Sequence, residues 1–326
     1  IPDLLPSNGI TIGIPLVFEF WNSLPFWTTL FKSLGFTTEI SGKSTPRVAE
    51  IGSSYAASDS ICLPAKLMHG HVEALLKRNV DRIFVPAMKQ IKNPQDRGAT
   101  NMCPIIQGLP IMAQHLNRPF ERKKVVLDTP VFSFESDTLR NAQLEMYIYS
   151  TFGISRVYIR KAIKIADRAM DVFRKKLNQE SNHILDKITA QDPFGVVLLM
   201  RPYHADSYIN HNIPEIFGSF GIRTLSSDCL PKLRRLNDKY LRPEKYNPFH
   251  MELYSAACFT AQHPKLEAVQ LISFGCGHDA ITSDEITRIM ESTGTKRPLL
   301  LKIDDGDSKG ALTIRIRSFV ETVLQR

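Results

Sequence analysis

The sequence lacks most of the features that would fix a protein's class from composition alone. None of its apolar runs reaches the roughly 18 residues that a transmembrane helix needs, so a helical membrane span is excluded. Its five cysteines, Cys62, Cys103, Cys229, Cys258 and Cys276, are odd in number and widely spaced. That pattern argues against a secreted disulfide framework and for free thiols in a reducing, cytoplasmic setting or for ligands of a metal centre. There is no internal repeat and no low-complexity segment. An RNP-like aromatic signature and a paired Cys/His finger are both missing, so nucleic acid is not an expected partner. Gly42-Lys43-Ser44-Thr45 has the ending of a phosphate-binding loop, but Thr37 stands where the full motif needs its first glycine. No phosphate loop of the actin-like ATPase type is present either.

What is there is ordinary globular material. The chain has 326 residues, 43% hydrophobic and 23% charged, which excludes a disordered chain, a coiled coil or a collagen-like fibre. That length predicts two domains with sizeable cores. Lys and Arg number 41 against 33 Asp and Glu, a formal charge of +8. Much of the excess lies between Arg156 and Lys176, where a solvated helix face accounts for it. The chain opens Ile1-Pro2-Asp3 without a methionine, as expected of a module taken from something longer, and no signal peptide is visible.

Short apolar runs alternate with amphipathic ones. Strands are predicted at Ile10 to Phe18, Phe36 to Ile40, Asp81 to Pro86 and Lys124 to Leu127. Helices are predicted at Pro25 to Leu34, Pro64 to Arg78 and Pro104 to Leu116. A helical stretch follows from about Asp137 to Ala190, interrupted near Gly153. Alternation then resumes with strands at Phe194 to Met200, Ile222 to Leu225, Ala268 to Phe274 and Pro298 to Ile303. Helices are expected at Ile209 to Phe220, His250 to Gln262, Ser283 to Ser292 and Gly310 to Leu324. Thr282 and Glu285 have the spacing of a capping box. The pattern predicts an α/β fold of two flavodoxin-like (Rossmann-like) parallel-sheet domains, residues 1–136 and 191–326. A helical connection, 137–190, would join them, with a cleft between the domains.

Three cysteines hold similar positions. Cys62 precedes the helix opened by Pro64, Cys103 precedes Pro104, and Cys276 follows a strand in Phe274-Gly275-Cys276-Gly277-His278-Asp279. All three fall on loops expected at the carboxyl ends of parallel strands, where open α/β sheets keep their sites. A thiolate near a helix N-terminus is favoured by the helix dipole. Soft thiolates suit zinc, cuprous copper or an iron–sulfur cluster, and three of them leave one coordination position open. Spacing alone favours three unrelated thiols over a shared site. Cys258, in Ala256-Ala257-Cys258-Phe259, reads as a small core residue. Lys66 lies one helical turn after Cys62, and His69 and His71 are too close in sequence for joint ligation from one helix. Arg201-Pro202-Tyr203-His204-Ala205-Asp206 follows a strong strand, so Arg201, His204 and Asp206 are candidate catalytic or anion-holding residues.

These segments, taken in order, resemble one family. Ile12-Gly13-Ile14-Pro15, Pro25-Phe26-Trp27, Ser58 to Lys66, His69-Gly70-His71 and Asn101-Met102-Cys103-Pro104 begin the match. Arg201 to Asp206, Phe274-Gly275-Cys276-Gly277, Leu301 to Asp305, Gly310-Ala311 and Arg315 to Phe319 continue it. The chain resembles the C-terminal module of large CoA-substrate-specific enzyme activase-related proteins, in the 2-hydroxyacyl-CoA dehydratase and benzoyl-CoA reductase superfamily. The resemblance implies a [4Fe–4S] cluster held by Cys62, Cys103 and Cys276. It also implies low-potential electrons from ATP-dependent activase domains, relayed onward or used to reduce a small substrate. Those ATPase domains are not in this sequence. The resemblance leaves two alternatives open: a non-catalytic docking or regulatory domain, and a domain that binds CoA thioesters without a cluster, Arg201 and nearby lysines holding the phosphates. A homodimer is compatible with either.

Overall fold

The computed structural model describes residues 4–56, 58, 60–92, 99–114, 124–230, 247–304, 306 and 308–326. The chain divides into two compact units. One comprises Ile1–Asp59, Pro64–Arg174 and Tyr246–Pro248, and the other Ser60–Leu63, Lys175–Lys245 and Phe249–Arg326.

In the first unit, β1 (Thr11–Ile14), β2 (Thr37–Ile40), β3 (Arg82–Phe84) and β6 (Val126–Asp128) form a parallel sheet in the order β2-β1-β3-β6. Helix α1 (Phe20–Ser33) buries Phe20, Trp27, Leu30 and Phe31 against it, with the Trp27 ring 4.8 Å from that of Phe84. The predicted first strand ends at Ile14 rather than Phe18. Phe18 takes a left-handed backbone, φ 47°, which ends extension and starts the helix five residues before Pro25. Helix α2 (Pro46–Tyr55) was not expected. Thr45 caps it, its hydroxyl accepting the Val48 N–H at 3.3 Å, which is the role of the phosphate-loop look-alike. Helix α3 (Leu63–Leu76) crosses α2 so closely that a Cβ on Gly70 would stand 2.0 Å from the Val48 carbonyl. The glycine of His69-Gly70-His71 is thereby explained, and His71 Nε2 lies 3.0 Å from Ser44 Oγ.

A second, small sheet of this unit was also missed. β4 (Ala87–Lys92) pairs antiparallel with β5 (Ala99–Asn101) and parallel with β7 (Val131–Phe134). Helix α4 (Pro104–Gln114) follows β5; the last two residues of its predicted span lie outside the described residues. The helical stretch appears as α5 (Asp137–Phe152) and α6 (Arg156–Gln191), separated by Gly153 at φ 67°. Arg160 meets Glu145 at 2.6 Å and Arg140 meets Asp167 at 2.9 Å, so part of the basic stretch is a salt-bridged helix face.

In the second unit, β8 (Gly195–Leu199), β9 (Thr224–Ser226), β10 (Leu266–Ser273) and β11 (Leu299–Ile303) form an all-parallel sheet ordered β9-β8-β10-β11. Both faces are buried, so the strands read as continuous apolar runs. Val196, Leu198, Val269 and Leu271 pack under α7 (Ile213–Ser219) and α10 (Lys309–Leu324). Val197, Leu199 and Ala268 pack under α8 (Pro248–Gln262), α9 (Gly277–Thr293) and the end of α6. The α/β class and the parallel sheets are therefore as predicted. The capping-box reading is not: α9 starts at Gly277 with Cys276 as its N-cap residue. Thr282 and Glu285 lie inside it, and Glu285 pairs with Arg288 at 2.6 Å.

Candidate functional site

Each sheet reverses its strand order once, between β1 and β3 in the first unit and between β8 and β10 in the second. The crevice at the carboxyl ends of such a strand pair is the usual ligand position. In the second unit, that crevice receives the Arg201-to-Asp206 segment from β8 and Phe274 to Asp279 from β10.

Its centre is a buried ion pair. Arg201 and Asp279 are 4% and 1% exposed, and both terminal guanidinium nitrogens donate to the carboxylate, at 3.2 and 2.6 Å. Asp279 also accepts the Ser273 N–H at 2.9 Å. His204 Nδ1 accepts the Arg201 N–H at 3.2 Å, so a neutral ring carries its proton on Nε2 and donates it to Ser273 Oγ at 3.0 Å. Burial opposes charge throughout. It would lift the Asp279 carboxyl, yet Arg201 holds that carboxyl below its ordinary value. Burial works against the Arg201 charge too, but Tyr203, Asp279 and Cys276 keep the guanidinium firmly protonated. The same burial, with Arg201 alongside, drives His204 down to about 3. Arg201 is therefore already committed to a partner, which leaves it poorly placed to hold a CoA phosphate.

Around this pair stand sulfur and imidazole groups. The Tyr203 hydroxyl is pushed well up by burial, and it feels both Cys62 and Cys276 as well as Arg201. Cys276 is raised by burial and pulled back by Arg201. Gly275, at φ 76°, has no room for a side chain, since a Cβ would lie 2.6 Å from the Ser60 carbonyl. The loop before Cys276 and the segment before Cys62 thus meet through bare backbone. His250 and His278 face each other with ring centres 5.0 Å apart. His250 is 3% exposed, sits at about 3 through burial and Arg201, and its Nε2 has no hydrogen-bond partner among the described residues. His278 is lowered by burial and Arg201 as well. A small cavity beside Ser273 is lined by Leu63, Ile209, His211, Phe274, Ile303 and Asp304. His211 and Asn212 both adopt left-handed backbones there, φ 52° and 56°. Two successive non-glycine residues in that region hold strain of the kind that clusters at ligand sites.

The sequence candidates therefore divide. Arg201, His204, Cys62 and Cys276 are in one unit and near one another. Asp206 is buried but accepts the Tyr208 N–H at 2.9 Å, which is a turn-forming bond. Cys103 precedes α4 in the other unit. Cys229 lies in the second unit, 2.8 Å from Ser226 Oγ, with burial pushing its thiol up to about 12. Cys258 is half-buried against the core rather than inside it. The histidines His211, His250 and His278 escaped the sequence reading. A signal existed for His278, two residues beyond Cys276 on the crevice loop. The donor chemistry of two thiols beside a buried cation fits a soft metal centre. Among the described residues, however, no group of three or more His, Cys, Asp or Glu is assembled to hold a metal ion.

The family model described as the CoA enzyme activase uncharacterised domain matches residues 11–230, about two thirds of the chain. The chain belongs to that family. In this CoA enzyme activase domain the match covers the first unit's main sheet and reaches into the second unit past Arg201 and His204. It ends before Cys276. No curated protein matches the chain. Among solved structures, the SBP FpvC from P. aeruginosa, in complex with Ni2+, is 11% identical over 97% of this chain and 96% of its own. Its TM-score is 0.28, too low to carry an argument about fold or metal. No helix among the described residues is long and apolar enough to cross a membrane.

Proposed function

We propose that this activase-family domain is an iron–sulfur redox module, with Cys62, Cys103 and Cys276 as ligands of a [4Fe–4S] cluster. The observation that carries this reading is the close approach of the loop before Cys276 to the segment holding Cys62, where a Cβ on Gly275 would stand 3.8 Å from the Cys62 nitrogen, with the buried Arg201 acting on Cys276. Such a cluster supplies one-electron transfer at a potential set by its charge, hydrogen bonds and burial. The chain's own residues have definite parts. Arg201 favours thiolate over thiol at Cys276, and Asp279 fixes the guanidinium in place. His204 and Ser273 tie the ends of β8 and β10 together. In this reading the electrons come from ATP-dependent activase domains and pass to a small substrate or onward acceptor.

Anaerobically purified or reconstituted protein should be brown, with roughly four iron and four sulfide per chain, and give an electron paramagnetic resonance signal on reduction. Replacing Cys62, Cys103 or Cys276 with Ser should each lower the iron content, whereas Cys229→Ser and Cys258→Ser should not. A colourless protein that takes up no cluster with all three cysteines intact would sink the proposal.

A further inference from the structure

Ser60–Leu63 and the loop at residues 274–277 belong to one compact unit, and their backbones touch. A Cβ on Gly275 would stand 2.6 Å from the Ser60 carbonyl oxygen and 3.8 Å from the Cys62 nitrogen. One covalent bond at each end of the second contact puts the Gly275 and Cys62 Cα atoms within about 7 Å of each other. Disulfides join Cα atoms roughly 4.4–6.8 Å apart, and Cys276 is the next residue along. Cys62 and Cys276 also both bear on the buried Tyr203 hydroxyl, so the two side chains share its surroundings.

Neither residue is sealed off, since both are half-buried. Cys276 is the N-cap residue of α9 and makes no capping bond, so it stands at the positive end of a 17-residue helix, with Arg201 alongside. Both influences favour thiolate, the form that attacks a disulfide, against the burial that raises the thiol. The other cysteines of this unit are worse placed. Cys229 lies 2.8 Å from Ser226 Oγ with its thiol pushed up to about 12, and Cys258 sits on α8 against the core.

We propose that Cys62 and Cys276 are a redox pair, which in the chain without iron closes to a disulfide by exchange with a small disulfide such as oxidised glutathione. The Cys276 thiolate attacks one glutathione sulfur, the S–S bond breaks, and one glutathione leaves as its thiolate. The Cys62 thiolate then attacks the Cys276 sulfur of the mixed disulfide and expels the second glutathione. Two electrons pass from the cysteine sulfurs to glutathione, and the two cysteine protons end on the two glutathione thiols. The new bond ties the segment before α3 to the start of α9 and withdraws both thiols from any metal until a thiol reductant reverses it.

Each of the five cysteines falls on its own tryptic peptide, so mass spectrometry reads the pairing directly. Full chain prepared without iron and incubated with oxidised glutathione should lose the mass of two hydrogens and yield the Cys62 peptide joined to the Cys276 peptide. Dithiothreitol should undo the bond. Cys62→Ser should stop at a glutathione adduct on Cys276, and Cys229→Ser should leave the cross-link intact. Reduced chain should take up one phenylarsine oxide, which needs two neighbouring thiols, and lose that uptake in Cys62→Ser and in Cys276→Ser. Stable glutathione adducts on both Cys62 and Cys276 would overturn the proposal. So would unmodified thiols at saturating oxidised glutathione, or a dominant cross-link to Cys229 or Cys258. Iron and sulfide content decides the cluster reading and is measured on separate material, so either reading can fail alone.

Discussion

Replacing Asp279 with Asn tests the centre of the second unit most directly. The amide is nearly the same size as the carboxylate and keeps an oxygen for the Ser273 N–H. It removes the negative charge and turns one N–H₂ toward a guanidinium that is 4% exposed. Two charge-assisted bonds, at 2.6 and 3.2 Å, would be lost or inverted, and Arg201 would remain buried without compensation. Breaking a buried pair from one side typically costs about 3–5 kcal/mol. With a urea m-value near 2 kcal/mol/M, that lowers the midpoint by about 2 M. Replacing both partners with apolar residues, as in Arg201→Met with Asp279→Leu, removes the uncompensated charge. It should recover more than half of the loss.

Native-state hydrogen exchange on the amides of β8 and β10 is the appropriate assay, because both tryptophans, Trp21 and Trp27, lie in the first unit and report only on it. A loss below about 1 kcal/mol for Asp279→Asn would refute the reasoning, since the guanidinium would then have found water or another partner. So would a double apolar variant as unstable as the sum of its single changes.

Acid should destabilise the second unit early. His204 and His250 sit at about 3 in the folded state against 6.5 unfolded, so the unfolded chain binds more protons between those values. Stability is then full above pH 6.5 and falls by about 1.4 kcal/mol per pH unit for each histidine as the pH drops toward 3, measurable by urea titration at pH 7 and pH 5. The first unit has an opposing contribution, because Glu19 at about 7 binds its proton in the folded state. What it contributes is present below pH 4.5 and lost as the pH rises through 7; Glu19→Gln should remove that dependence. Gly275→Val should cost more than about 2 kcal/mol in thermal unfolding, combining a left-handed backbone with a Cβ 2.6 Å from the Ser60 carbonyl. Ser308→Ala, which removes the cap on the Ala311 N–H, should cost about 1 kcal/mol in thermal unfolding.

The second unit was legible because its strands are buried on both faces. Gly195–Leu199 has no exposed residue, and such a run announces a parallel strand whatever follows it. The small sheet of the first unit was not legible, for the opposite reason. Ala87–Lys92 is half-exposed, and Gln90 joins its neighbours through side-chain bonds to Asn101 and Ser133, so no apolar pattern marks it. Helix α2 was hidden by Gly52 and two serines. Gly52 is there because the Lys66 carbonyl would lie 2.1 Å from a Cβ, a contact made by tertiary packing. The start of α9 was misplaced because a good local capping signal at Thr282 competed with Asp279, which holds the first turn through Arg201. Strand-end position directed attention to Arg201, His204 and Cys276, which do lie at the ends of β8 and β10. It could not reveal His250, which comes from a different helix, nor the backbone of His211 and Asn212.

The two main sheets share one order, with the first strand of each unit between its second and third, so each unit has one crevice of the same topological kind. Comparing them shows what the fold requires and what it does not. Val17 and Val85 flank the crevice of the first unit, which demonstrates that apolar residues serve the architecture well at these strand ends. The second unit places a buried arginine, an aspartate and a neutral histidine at the same ends, with cysteines and further imidazoles around them. A buried ion pair is a poor way to gain stability, because apolar replacements of similar volume do as well or better. Stability therefore does not account for the Arg201–Asp279–Ser273–His204 network. The network does hold a positive charge and a directed N–H array rigid beside Cys276, which under the proposed function is what a thiolate ligand would need and a hydrophobic core would not.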